Sequence, residues 1–165
     1  MDGSGRTSFE EWAVARQQRL VRGAYLLTGD YQRAEDLVQE ALVRAAMRWD
    51  RLRDGDPDAW VRTVIYRGNV SWWRRHRREV PVAEVPGTAW YDDPGLTASM
   101  VRDALARLTK GQRAVVLLRY FEDLSVDQTA AALGVSAGTV KKQTSVAIQR
   151  LRELAPELQV AEEES

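Results

Sequence analysis

Apolar residues recur along this chain at helical spacing, and no stretch alternates with the period of a strand. The first periodic segment runs from about Ser8 to Leu27, with Ser8 placed as an N-cap and Glu11 three residues on, and Gly29 ends it. Asp30 can cap a second helix, about Gln32 to Trp49, whose Ala34, Leu37, Val38, Ala41, Leu42 and Ala45 form one apolar stripe. Arg51–Asp56 reads as a charged, Gly-containing loop. Asp56 followed by Pro57 then opens a third helix that continues to about Arg78. From Val80 to Ser99 the pattern breaks, because Pro81, Pro86 and Pro94 with Gly87 and Gly95 interrupt every possible helix. Beyond it four helices are predicted: Met100–Leu108, Lys110–Phe121, Val126–Leu133 and Ala137–Leu154. Thr109 with Gln112, and Ser125 with Gln128, have capping-box spacing. The expected fold is all-α: two small helical domains, residues 8–79 and 100–155, joined by a flexible linker over 80–99.

Composition narrows the chemistry. The chain of 165 residues has no Cys and one His, His76, which excludes a disulfide framework, a thiolate metal site and a cysteine nucleophile and leaves little for an imidazole site. No metal site and no cofactor are expected. No apolar run approaches the roughly 20 residues of a membrane helix, and the first residues lack a signal-peptide core; a cytoplasmic protein without membrane insertion is expected. Asp92 and Asp93 form a carboxylate pair, but they fall among the prolines and glycines with no His beside them. With no phosphate-cradling Gly loop and no nucleophile elbow either, the sequence predicts no enzyme.

The charges balance at 24 Lys+Arg against 24 Asp+Glu, yet they are segregated. Residues 60–79 hold six Arg and one Glu, giving +5, and residues 101–155 hold nine basic and five acidic groups, giving +4. The intervening 80–100 stretch carries −3 and the final ten residues, with four Glu, carry −4. Two basic blocks therefore produce local fields that the total conceals.

The second basic block contains the pattern of a helix-turn-helix. Leu133-Gly134-Val135-Ser136 is a short connection in which Gly134 supplies a left-handed C-cap and Ser136 caps the next helix. In that helix Val140, Thr144, Ala147, Ile148 and Leu151 share one side. Gly138, Lys142, Ser145 and Gln149, flanked by Lys141, share the other. Cations, hydroxyls and amides in that arrangement suit a major groove.

The first basic block mixes Arg with aromatics. At about 100° per residue, the third helix turns Val61, Val64, Ile65, Gly68 and Trp72 inward, with Gly68 permitting close approach of a neighbour. Arg62, Tyr66, Asn69, Val70, Trp73 and Arg77 turn outward. Rings that stack on unpaired bases, with guanidinium groups along the backbone, would use such a face. The alternative is that Trp72 and Trp73 both pack against the first helix and the Arg74–Arg78 run is a solvated end. His76 lies in that run as a phosphate neighbour.

These segments together resemble a bacterial RNA polymerase sigma factor of the extracytoplasmic-function (ECF) type, similar to a short actinobacterial group. AEDLVQEALVRA from Ala34, AWVRTV from Ala59 and WWRR from Trp72 are similar to sigma region 2. LTKGQRAVVLLRYFEDLS from Leu108 and AALGVSAGTVK from Ala131 are similar to region 4. The resemblance implies partners, RNA polymerase core and promoter DNA, with an anti-sigma factor as a further candidate. It implies that Asp36, Gln39, Glu40 and Val43 dock on polymerase. Arg51 and Arg53 in the loop, and Arg62, Tyr66, Asn69, Trp73, Arg74 and Arg77 on the third helix, would capture and open the minus-ten element. Lys141, Lys142, Ser145 and Gln149 would enter the groove of the minus-thirty-five element, with Arg119 and Thr139 on phosphates. The sequence departs from the family pattern at Gln143, Thr144 and Val146, and at Arg67 near a position where relatives often carry Asn. A stand-alone helix-turn-helix regulator is the competing reading, although it would need a dimerisation surface to read paired half-sites.

Overall fold

The computed structural model describes residues 7–76 and 96–156, with the side chains of 70–76 and 96–99 outside that description. The chain divides into two compact units, Met1–Glu84 and Val85–Ser165, and no strand occurs among the described residues. The dividing point falls inside the stretch expected as a linker; residues 77–95 of that stretch and its approach lie outside the description.

In the first unit, α1 (Phe9–Thr28), α2 (Tyr31–Met47) and α4 (Pro57–His76) pack on one another, and α3 (Trp49–Leu52) is a single turn leading out of α2. Local chemistry fixes each boundary. Ser8 and Glu11 form a reciprocal capping box at the start of α1, and Gly29 ends it at φ 71°, a conformation that costs a glycine little. The Asp30 side chain accepts from the Arg33 N–H to start α2. The stripe expected on α2 is buried in full, Ala34 through Ala45, together with Trp12, Tyr25 and Leu27 of α1 and Val61 and Ile65 of α4. Gly68 gives α4 its close approach to α2: a methyl there would lie 3.3 Å from Leu37 Cδ2. Arg16 Nε donates to Asp58 Oδ1 at 2.9 Å, linking α1 to α4 at the surface.

The expected Arg51–Asp56 loop is corrected at its start. Trp49–Leu52 is helical: Trp49 is held in place by a tilted ring contact with Trp12 and an edge-on contact with Phe9, at 5.2 and 5.6 Å between ring centroids, and its Nε1 donates to the Thr7 carbonyl.

In the second unit α8 (Ala137–Leu154) is the central element, packed by α5 (Leu96–Ala106), α6 (Lys110–Val116) and α7 (Val126–Leu133). The α5 helix starts at Leu96, four residues before the expected Met100, since no breaker follows Gly95. Capping boxes start α6 at Thr109 with Gln112 and α7 at Ser125 with Gln128, as their spacing predicts. The helix expected to run unbroken to Phe121 instead widens into a π-helical turn over Leu117–Phe121, which the Glu122 N–H closes onto the Leu117 carbonyl. Asp123 follows at φ 56° and turns the chain toward Ser125.

One partly buried cation joins two of these helices. Arg113 of α6 donates from Nε to the Leu105 carbonyl at 2.9 Å and from NH2 to the carbonyls of Ala106 and Leu108. The last turn of α5 has no basic residue of its own, so Arg113 brings a cation and extra donors to its carbonyl end, adding to the Leu108 N–H that the Leu105 carbonyl already accepts. Burial lowers the pKa of this guanidinium from its usual value. Arg113→Met keeps the stem and removes the donors. It is expected to destabilise the chain by about 2 kcal/mol, read from the urea unfolding midpoint; an unchanged midpoint would show that the three carbonyls find other donors.

Candidate nucleic-acid interface

The helix-turn-helix of the second unit is built as its sequence predicts. Gly134 ends α7 at φ 69° with its N–H on the Ala130 carbonyl. Ser136 then caps α8 by accepting from the Thr139 N–H. Val140, Thr144, Ala147, Ile148 and Leu151 are all buried, and Val140 joins Val115 and Ala130 in a cluster covered by Val126 and Leu133. Thr144 is polar, but its hydroxyl donates to the Val140 carbonyl one turn back at 2.7 Å, which lets it sit in that core. With one side of α8 anchored, the other is fixed outward: Gly138, Thr139, Lys141, Lys142, Ser145 and Gln149 are exposed. The Thr139 hydroxyl lies 2.9 Å from that of Ser136. Gln143 leans back, its Nε2 3.9 Å from where a Cβ on Gly111 would sit.

Arg119 lies in the π-helical turn and is partly buried. Its NH1 donates to the Leu124 carbonyl at 2.7 Å, and its guanidinium carbon is 5.9 Å from the centre of the Tyr120 ring. The wide turn and that tether set the direction of a cation in the same unit as α8.

In the first unit, Asp36, Gln39, Glu40 and Val43 are exposed on the face of α2 opposite its buried stripe. Glu40 accepts from Arg44 at 2.8 Å. Met47, four residues beyond Val43, extends this face: they are 82% and 57% exposed. Sequence reading missed Met47, although the i+4 step from Val43 carried the signal. Arg51 is exposed, whereas Arg53 is partly buried with an NH2 3.4 Å from Asp50. Both line a cleft with Thr7–Glu10 and the end of α2, so α3 brings these two cations beside the start of α1. Arg48 stacks over Trp60 at 5.7 Å, another contact sequence reading did not find.

The outward assignment of Tyr66 and Asn69 is corrected. They are 2% and 3% exposed, inside the first unit rather than on its surface. Both α1 and α2 pack on α4, so its buried arc is wider than a single stripe, and Arg33 NH2 of α2 donates to Asn69 Oδ1 at 3.2 Å. Arg62 is partly buried and keeps a surface component. Trp73 and Arg74 lie within α4 but their side chains are outside the description, as is Arg77 altogether.

Two family models match the chain: Sigma-70 region 2 over residues 12–79, and Sigma-70, region 4 over residues 98–151. The chain is 43% identical over 149 residues to the RNA polymerase sigma-E factor of Streptomyces avermitilis, covering 88% of this chain and 83% of that one. It is 35% identical over 164 residues to ECF RNA polymerase sigma factor SigL of Mycobacterium tuberculosis, covering 94% and 90%. Among solved structures it resembles sigma factor RpoE in complex with the anti-sigma factor NepR from Bartonella quintana, at 27% identity and TM-score 0.75 over 90% of this chain and 96% of that one.

Tyr66→Ala is expected to lower folding stability by about 3 kcal/mol or more, the scale of truncating a buried aromatic. Denaturant unfolding of the full chain measures it, and a change within experimental error would return Tyr66 to the surface.

Proposed function

Because the chain belongs to the ECF RNA polymerase sigma factors, we propose that its two units divide promoter recognition between them. Sigma factors are non-catalytic initiation factors, and this chain serves in promoter-specific initiation of transcription by RNA polymerase. The observation that carries the reading is the pairing of two sigma-70 region matches with two separate compact units, one of which holds α8 with a cationic, polar outer face.

Lys141, Lys142, Ser145 and Gln149 enter the major groove of the minus-thirty-five element, with Thr139 and Arg119 toward phosphates. The burial of the opposite side of α8 supports this, since it leaves those groups together and unshielded. Arg51, Arg53, Arg62, Trp73, Arg74 and Arg77 hold and open the minus-ten element. Trp73 offers a stacking platform for an extruded base, and the cations hold the strand. Tyr66 and Asn69 serve this surface indirectly, by fixing the orientation of α4 from within. Asp36, Gln39, Glu40 and Val43, extended by Met47, dock on polymerase; an exposed stripe that is part acidic and part apolar supports it. A linker over residues 80–99 spans the two recognition units, and an anti-sigma factor, as in the RpoE–NepR complex, would act by covering either the α2 face or α8.

Purified protein added to sigma-free core polymerase is expected to produce promoter-dependent transcripts; operator binding without polymerase would instead favour a stand-alone regulator. Lys142→Ala should weaken promoter binding and reduce the salt slope by about one, and an unchanged slope removes Lys142 from the DNA contacts. Trp73→Ala should leave polymerase binding intact while reducing permanganate reactivity of the melted strand. Unaltered reactivity refutes the stacking role.

A further inference from the structure

Outward positions of α8 are polar or small, with one exception. Val140, Ile148 and Leu151 are buried, while Val146 is 44% exposed, so the fold leaves a large part of it uncovered. A β-branched residue is also a weaker helix former than the alanine or lysine such a position could carry, so local propensity does not account for it. A lone exposed valine on a protein surface is ordinary. This one lies one helical turn beyond Lys142 and beside Ser145, and Gln149 follows one turn later on the same side. The row begins at Gly138, an exposed helical glycine whose added Cβ would meet nothing nearer than Ser136 Oγ at 3.9 Å. No internal contact requires a glycine there. A helix stripped to backbone at its leading end, with a cation and then an apolar branch along the same row, is shaped for close approach by another molecule.

We propose that Val146 is a specificity residue that reads the C5-methyl group of a thymine in the upstream promoter element. The inference rests on the assignment of α8 to that element. A valine has no donor or acceptor for guanine, adenine or phosphate, and of the four unmodified bases thymine alone presents an apolar group in the major groove. Lys142 and Ser145 fix the register by polar contacts, and Val146 selects at one position by excluding water from between its methyls and that of the base.

The test uses the full chain assembled with core polymerase. Promoter duplexes are selected from a library randomised over the upstream hexamer, and each selected thymine is then replaced by deoxyuridine, which removes only the methyl. At one thymine the replacement should weaken wild-type binding by about three- to tenfold. Val146→Ala should lose that sensitivity and relax selection at that position, whereas Lys142→Ala should retain it. Because Val146 is outside the core, circular dichroism should show the variant folded like the parent. A complete absence of methyl sensitivity, or an equal sensitivity in Val146→Ala, overturns the proposal while a Lys142-dependent salt slope leaves the placement of α8 intact. Failure to obtain any promoter-dependent transcript would instead strike the sigma assignment itself.

Discussion

Short helices around small cores persist only when their terminal backbone groups find partners, and this chain meets that constraint with a side-chain cap at most of its described helix starts. Ser8, Asp30, Thr109, Ser125 and Ser136 each accept a backbone N–H in the first turn, and Gly29 and Gly134 end two helices in the left-handed conformation. Arg113 supplies the same service to the end of α5 from a neighbouring helix. A cap does more than stabilise. By fixing where a helix begins it fixes the phase of every later side chain, and so which residues the core takes and which are left to a partner.

The proposed division of labour between the units fits the charge distribution. Neutral overall, the chain concentrates cations over residues 60–79 and 101–155 and places acidic groups between and after them. Each block can therefore attract a polyanion locally without the whole protein binding nucleic acid indiscriminately. A factor that has to release its promoter and join a polymerase gains from such restraint.

Much of this was legible in the sequence because it is local. Capping spacings, the Gly134 turn and the inward residues of α8 depend on neighbours within a few positions, and the structure matches them. What escaped is set by contacts far apart in sequence. Tyr66 and Asn69 fall on the outer arc of a single helix, and only the packing of two other helices against α4, with Arg33 reaching Asn69 across 36 residues, puts them inside. Arg51 and Leu52 belong to a helical turn rather than a loop, and Trp49 at the start of that turn packs on Phe9 and Trp12, forty and thirty-seven positions earlier. The π-helical turn left no mark either, since Leu117–Phe121 has the composition of an ordinary helix.

The tight spacing at Gly68 reaches beyond stability. With 3.3 Å between a hypothetical methyl there and Leu37 Cδ2, even one added carbon in the seam between α2 and α4 makes the Leu37 side chain give way by a few tenths of an ångström. The outward row of α8 is exposed and lies outside the core. Under the proposed placement of α8 in the upstream promoter element, replacements along that row would change which bases are selected while leaving the packing of the first unit as it is.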